Sequence, residues 1–197
     1  MICKTLAVGL AAATIFVAGC GAANDADRSS QKGSPEETTK ASTGAKIGTP
    51  EGVESVDVGP PNQHTEGDVD YERTPPAGGE HDYIWQNCGF YSKPVRNENA
   101  VHSMEHGAVW ITYRPGLPAE QVDKLRELAN SKTYVLVSLY PDLSAPVVAS
   151  AWGKQLHLDS AEDPRLKQFA SAFRLGPQAP EPGAPCTDGT SATTSEP

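Results

Sequence analysis

The sequence predicts an α+β fold: a single small domain with one mixed sheet of about four strands covered by two helices, and an irregular Pro/Gly-rich N-terminal part. Three observations carry this prediction. Two β-branched and aromatic runs, 108–113 and 134–140, flank an amphipathic segment, 118–130. A hairpin pattern around Gly153 follows them, and a second amphipathic segment, 161–173, closes the periodic part of the chain.

Length and charge limit the possible functions. The chain has 197 residues, with 16 Lys and Arg against 25 Asp and Glu, and a formal net charge of −9. This length allows one domain with flexible ends. Binding to nucleic acid phosphates requires clustered Lys and Arg, which this acidic chain lacks, so we expect no nucleic-acid partner.

The N-terminus has the features of a bacterial lipoprotein signal peptide over residues 1–19. Lys4 precedes an uncharged, mostly apolar run, 5–18, which is shorter than the roughly 20 residues of a membrane-spanning helix. The run ends in Val-Ala-Gly-Cys, a lipobox-like string that predicts lipidation of Cys20. We therefore expect a domain anchored through Cys20 on the extracytoplasmic face of the cell membrane. An ordinary signal peptide is the alternative.

Composition divides the rest of the chain into three parts. Residues 20–52 are rich in Ser, Thr, Gly and charge and contain no aromatic residue, so we expect a disordered tether. Residues 187–197 are similar and predict a disordered tail. The folded domain is expected over 53–186.

The cysteine count predicts one disulfide. Cys3 leaves with the signal peptide and Cys20 is the lipidation site, so Cys88 and Cys186 remain as an even pair in an oxidising compartment. This bridge would attach the C-terminal segment to the domain. A thiol pair that binds copper is the alternative.

Each element of the folded part has a local signal. Pro-Pro and Gly-Gly pairs make the first third irregular, and the aromatic stretch 84–91 fits a strand or a packed loop. Asn97 as N-cap and Gly107 as a stop predict a short helix over 98–106. The helix at 118–130 should join two parallel strands by a right-handed crossover. The two longer helices each have one apolar face, formed by Val122, Leu125, Leu128 and Ala129, and by Leu166, Phe169, Ala170 and Phe173.

Four of the five histidines predict a transition-metal site. His102 and His106 are spaced i, i+4, so on a helix both imidazoles point to the same side. His81 and His64 lie in irregular segments that could fold over this helix and complete a site of three or four ligands. Imidazole ligands suit copper or zinc, which we expect as the bound ion. Nearby acids, among them Glu72, Asp82, Glu98 and Glu105, could orient the imidazoles.

Two other interpretations of this region remain open. Met104 beside the histidines would favour Cu(I), although on a helix it points away from them and fits a core residue better. The string His102 to His106 also fits the His-x-x-Glu-His pattern of some zinc peptidases, with Glu105 as base, which would make the protein a metal-dependent hydrolase.

Several strings of this chain resemble a bacterial secreted family, domain of unknown function 3105. They are residues 71–81, 87–91, 101–109 and 149–153. A Pro-Pro-x-Ser-Gly-x-His string is usual in that family, and here Gly78 stands at the Ser position. The resemblance implies a cell-envelope domain with a histidine-rich feature, and it implies no particular activity.

Taken together, the sequence predicts a lipid-anchored, extracytoplasmic domain that binds copper or zinc. It favours a non-catalytic domain and leaves enzymatic activity open. A second possibility is a non-catalytic scaffold of the cell envelope, in which the histidines tie loops together and an envelope protein is the partner. The hydrolase is the third.

Overall fold

A computed structural model describes residues 48–195 and residue 197 of the protein. These residues belong to one compact unit, Gly44–Pro197. The predicted signal peptide, Cys20 and almost all of the tether lie outside the described residues. Among the helices of the described part, none has the length and apolar character that crossing a bilayer requires.

A mixed sheet of six strands forms the centre of the described residues, in the order β1-β6-β5-β3-β4-β2. The strands are β1 (Glu54–Ser55), β2 (Gly89–Tyr91), β3 (Val109–Tyr113), β4 (Val135–Leu139), β5 (Val147–Ala151) and β6 (Lys154–Leu158). The helices are α1 (Asn97–Glu105), α2 (Ala119–Ser131) and α3 (Pro164–Phe173). The predicted α+β class is confirmed, but the sheet has more strands than the four or so expected. The additional strands, β1 and β2, have two and three residues and are too short to show an alternating pattern.

The two central strands are parallel, as the crossover interpretation predicts. Val109 of β3 pairs with Val135 of β4, and α2 connects the two strands. On its other side β3 pairs antiparallel with β5, which forms the predicted hairpin with β6. Gly153 makes the hairpin turn with a φ of +64°, a backbone conformation that glycine adopts without steric cost.

The sheet separates two apolar layers. Alternate residues of β3 point to opposite faces, so Val109 and Ile111 join the layer of α2 and α3, while Trp110 joins the layer of α1. In the second layer Val101 and Met104 of α1 are completely buried. Helix α1 is therefore fixed by its apolar side, and its remaining face is free to carry polar side chains.

The C-terminal segment continues the folded domain past the predicted boundary at Cys186. The amide of Asn87 donates to the Thr190 carbonyl at 2.8 Å, and the Thr190 amide donates to the Trp85 carbonyl at 2.9 Å. The Cys88 amide donates to the Cys186 carbonyl at 2.8 Å. The segment beyond Cys186 thus pairs through its backbone, which composition alone does not reveal, and it differs from the disordered tail that we expected.

Candidate metal centre

The polar face of α1 contributes three chemically active side chains to one place. His102 and Glu105 lie on the helix at spacing i, i+3, and His106 caps its C-terminal end. Because residues three and four apart lie on the same face of a helix, all three can meet above it. The apolar packing of Val101 and Met104 on the opposite side sets the direction in which this face points.

Two irregular segments bring the other histidines over this face. His64 and His81 form an isolated parallel bridge: the Thr65 amide donates to the His81 carbonyl at 2.8 Å, and the His81 amide donates to the Gln63 carbonyl at 2.9 Å. The rings of His64 and His81 have centroids 4.6 Å apart. These two backbone hydrogen bonds hold the two segments together, and both rings lie about 5 Å from the ring of His102 on α1, centroid to centroid.

Four donor groups converge at the centre of this arrangement. One ligand atom from each of His64, His81, His102 and Glu105 lies within 4.8 Å of every other. Glu105 Oε2 is 2.9 Å from His81 Nε2 and 3.7 Å from His64 Nε2. We call these four residues the central cluster. His106 lies outside it, but its Nε2 is 2.9 Å from His102 Nε2.

Backbone carbonyls fix the tautomers of three histidines. The Nδ1 atoms of His81, His102 and His106 lie 2.6–2.7 Å from carbonyl oxygens. These carbonyls belong to Gly79, Asp82 and Pro185, respectively. Since a carbonyl oxygen only accepts, each Nδ1 carries the hydrogen and donates it. In a neutral ring the Nε2 lone pair is then left for another partner, which is how metal-binding histidines are commonly oriented. His81 differs in one respect, because its Nε2 faces the Glu105 carboxylate and donates to it; a metal ion at this site would replace that hydrogen.

Glu105 is present as a buried carboxylate. Its Oε1 accepts a hydrogen bond from the Asn62 amide at 2.9 Å, and its Oε2 faces His81. Burial acts to raise the pKa of this carboxyl, but the hydrogen bonds from His81 and from the Asn62 amide outweigh burial and hold the pKa below its usual value. The side chain therefore offers negative charge to the cluster although only 1 % of it is exposed.

His102 is held as a neutral ring. Burial lowers its pKa to about 4, and the neighbouring His106 and His81 lower it further, against the opposing effect of the hydrogen bond to the Asp82 carbonyl. At neutral pH its Nε2 therefore carries a lone pair, as a metal ligand must.

Aromatic side chains surround the cluster. The ring of Tyr83 stacks on His64 with centroids 5.1 Å apart, and Trp152 meets His81 edge-on at 5.8 Å. The ring centroid of Trp85 lies 5.7 Å from that of His102 and 5.2 Å from that of His106. His81 and His102 are at most 6 % exposed, whereas the side chain of His64 is 24 % exposed. The centre is therefore shielded from water, with His64 as its most accessible member.

The C-terminal segment covers the end of α1. Its amides at Glu181 and Gly183 donate to the carbonyls of Glu105 and His106, at 2.9 and 3.1 Å. The predicted disulfide is present between Cys88 and Cys186 and ties the segment to the strand that begins at Gly89. The bridge directly follows Pro185, whose carbonyl orients His106. The disulfide and the candidate centre are thus parts of one local structure.

The structure separates the predicted site residues into groups. His64, His81 and His102 meet with Glu105, and His106 adjoins His102. Met104 is away from them, fully buried in the layer of Trp110, so it is a core residue and not a ligand. His157, the fifth histidine, lies apart from the cluster on β6, where its Nδ1 is 3.4 Å from Ser144 Oγ.

The candidate orienting acids act differently from one another. Asp82 orients His102 through its carbonyl, and Glu98 accepts from the Val69 amide at 2.8 Å and pairs with Arg96. Glu72 is exposed. Glu105 is a potential ligand, a role that its i, i+3 spacing from His102 could have indicated. The contribution of Pro185 has no comparable signal in the sequence apart from its position beside Cys186.

The fold and the cluster define a small α+β domain with a buried histidine–carboxylate centre. The chain belongs to the family described as protein of unknown function (DUF3105), whose model matches residues 62–188. This confirms the resemblance seen in the sequence, and the matched range contains the central cluster, His106 and both disulfide cysteines. No curated protein and no solved structure matches the chain.

Proposed function

We propose that this domain binds a transition-metal ion, zinc or copper, through His64, His81, His102 and Glu105. The observation that carries the proposal is the convergence of four donor atoms, from three separate parts of the chain, within 4.8 Å of one another. Four donors placed 2.0–2.1 Å from a tetrahedral zinc ion are about 3.3 Å apart. The separations of 2.9 and 3.7 Å between Glu105 and the two histidines lie on either side of that value.

The donor set supports zinc or Cu(II) in preference to Cu(I). Imidazole and carboxylate are borderline or hard ligands, whereas Cu(I) is selected by thiolates and thioethers. Met104 is in the apolar core, and Cys88 and Cys186 are bonded to each other. Among the described residues near the centre, no sulfur atom is therefore placed to serve as a soft ligand.

The burial of the centre supports binding in preference to catalysis. A catalytic zinc site keeps one coordination position open for water or substrate, whereas a structural or storage site is closed by protein ligands. Here Glu105, the residue that would act as base in the hydrolase interpretation, has both oxygens engaged, by the Asn62 amide and by His81. We therefore favour holding or delivering a metal over hydrolysing a peptide.

We further propose that the domain is displayed outside the cytoplasm on a lipid attached to Cys20. The lipobox-like string supports this, and the Cys88–Cys186 disulfide fits an oxidising compartment. Substituting Cys20→Ser should release the protein from the membrane fraction while the disulfide still forms. Retention of the variant in membranes would contradict the proposed anchor.

The metal proposal is tested with the purified full chain, stripped of metal by a chelator and then titrated with Zn²⁺ or Cu²⁺. We expect binding by calorimetry and a rise in Tm, because an ion at a hundred times its Kd stabilises a protein by about 2.7 kcal/mol. His64→Gln is the key variant, since this partly exposed ring can be replaced with little disturbance of the fold. His157→Gln, outside the centre, is the matched control.

The outcomes separate the candidate functions. Loss of affinity in His64→Gln but not in His157→Gln supports the metal centre. A folded wild-type chain that binds neither ion would refute it and leave the envelope scaffold as the remaining interpretation. Bound zinc together with cleavage of unfolded casein, abolished by Glu105→Gln, would support the hydrolase instead.

A further inference from the structure

His106 is a buried histidine that the central cluster does not use. It is 3 % exposed, and its Nδ1 donates to the Pro185 carbonyl at 2.6 Å. The opposite nitrogen, Nε2, is 2.9 Å from His102 Nε2. The Nδ1 atom of His102 likewise donates to a carbonyl, that of Asp82. In two neutral rings fixed in this way, both facing nitrogens are acceptors.

Two acceptors cannot stay 2.9 Å apart unless a positive charge lies between or beside them. A metal ion meets this requirement. Two nitrogens that are 2.9 Å apart and each 2.0–2.1 Å from one ion subtend an angle of about 90° at that ion, which is the angle between neighbouring ligands in a tetragonal Cu²⁺ site and is narrower than the tetrahedral angle of zinc. The ring centroids of His102 and His106 are 4.5 Å apart with planes at 82°, so each ring can direct its lone pair to a common point.

A third donor lies beside this pair. Glu181 Oε2 is 3.8 Å from His106 Nε2, and the side chain is 48 % exposed. The backbone of Glu181 is fixed, because its amide donates to the Glu105 carbonyl at 2.9 Å. The disulfide at Cys186 holds the same segment in place. A small rotation of the half-exposed side chain would bring the carboxylate to an ion held by the two histidines.

We propose that His102, His106 and Glu181 form a second metal subsite, adjacent to the first, that takes a second Zn²⁺ or Cu²⁺ ion. The proposal rests on the proposed function and extends it from one ion to two. An imidazole Nε2 has one lone pair, so in the doubly loaded protein His102 ligates the second ion. The first ion then keeps His64, His81 and Glu105. Each ion then has two imidazoles and one carboxylate, so double loading leaves each ion one position for water, whereas the four protein ligands close the site around a single ion.

The test is the stoichiometry of Zn²⁺ binding to the metal-free full chain, measured by calorimetry and by elemental analysis after removal of free metal. We expect two equivalents for the wild type and one for Glu181→Gln. Loss of this oxygen ligand should weaken binding of the second equivalent at least as much as loss of an outer-shell partner does, which is roughly 10–100-fold. Glu120→Gln, an exposed acid on α2, is the matched control and should keep two equivalents.

Titration with Cu²⁺, followed by electron paramagnetic resonance, provides an independent test of the second subsite. Ions in two-metal sites are about 3.5–4 Å apart, so the second equivalent should broaden or reduce the paramagnetic resonance signal of the first instead of doubling it. Glu181→Gln should restore the signal of a single isolated ion. Because Glu181 is half-exposed, this variant tests the proposal even where replacement of buried His106 prevents folding.

Three results would overturn the inference. One equivalent in the wild type would mean that a shared proton, and not a metal, lies between His102 and His106, while the single-ion centre of the proposed function would stand. Two equivalents that persist in Glu181→Gln would refute the assigned ligands. No binding of either ion would refute this inference and the proposed function together.

Discussion

Acidification should destabilise the metal-free protein through His102. This ring is 6 % exposed, and burial lowers its pKa from about 6.5 to about 4. In the unfolded chain the ring takes up a proton near pH 6.5, whereas in the folded chain it stays neutral until about pH 4. The unfolded state therefore binds more protons throughout this window. Stability contributed by His102 is complete above pH 6.5 and is lost as the pH falls towards 4.

The size of the effect follows from the two pKa values. The difference between the pKa of His102 in the unfolded chain, about 6.5, and in the folded chain, about 4, corresponds to about 3 kcal/mol in the free energy of unfolding. Of this, about 2 kcal/mol should be lost between pH 7 and pH 5. Total stabilities of such domains are about 5–15 kcal/mol, so the loss is large enough to measure. Glu105, whose pKa is held low, adds a further loss at lower pH, as its carboxylate becomes protonated.

Urea unfolding in the presence of a chelator, at pH 7 and at pH 5, measures this loss. Other groups also titrate, so the informative quantity is the difference between the wild type and His102→Gln, which lacks the imidazole. The free energy of unfolding of the variant should fall by about 2 kcal/mol less over the same pH interval. His157→Gln should behave like the wild type. A nuclear magnetic resonance titration that places the midpoint of His102 above pH 6 would refute the reasoning.

Three further predictions concern the framework around the centre. Met104→Ala should lower the free energy of unfolding by about 2–5 kcal/mol and Met104→Leu by less than about 1.5 kcal/mol, because Met104 is a core residue. Both variants should keep their metal content. Loss of metal in the folded Leu variant would contradict this prediction. Replacing Cys88 and Cys186 by Ala should lower the free energy of unfolding by about 4–5 kcal/mol, since the bridge spans 98 residues. The same variant should lose bound metal to a chelator faster. An unchanged release rate would show that the disulfide does not help the centre to retain its metal. Gly107→Ala should destabilise the protein by about 1–3 kcal/mol in thermal unfolding, because its φ is +97° and a Cβ would lie 3.1 Å from Leu175 Cα; unchanged stability would contradict this.

The sequence predicts those elements whose signals are local. Strand β3, helix α2 and strand β4 each have a clear period, and all three occur within two residues of the predicted bounds. The edge strand at Glu54 has only two residues and pairs with Gln155 far along the chain, so no local pattern shows it. The ordering of Thr190 also depends on a distant partner, the backbone of Trp85.

The candidate site divides in the same way. The spacing of His102 and His106 on one helix face is local in the sequence. It predicts that both rings lie on the same side of the helix, but it does not predict the distance of 2.9 Å between their Nε2 atoms. The approach of His64 and His81 requires two irregular segments to bridge to each other, which no periodicity describes. The role of the Pro185 carbonyl is set by tertiary contacts of the C-terminal segment.

The cost of burying the cluster argues against a purely structural role. A buried carboxylate and several buried imidazoles must give up hydration, and replacing such groups by well-packed apolar residues is often neutral or stabilising. Loops can be tied together at lower cost, as the disulfide between Cys88 and Cys186 does here. The bonds from Nδ1 to backbone carbonyls tie loops to α1 and would serve a scaffold equally well, so the informative feature is the opposite nitrogen of each ring. The Nε2 atoms of these three rings face Glu105 or another imidazole, where the proposed cation would offset the cost of desolvation.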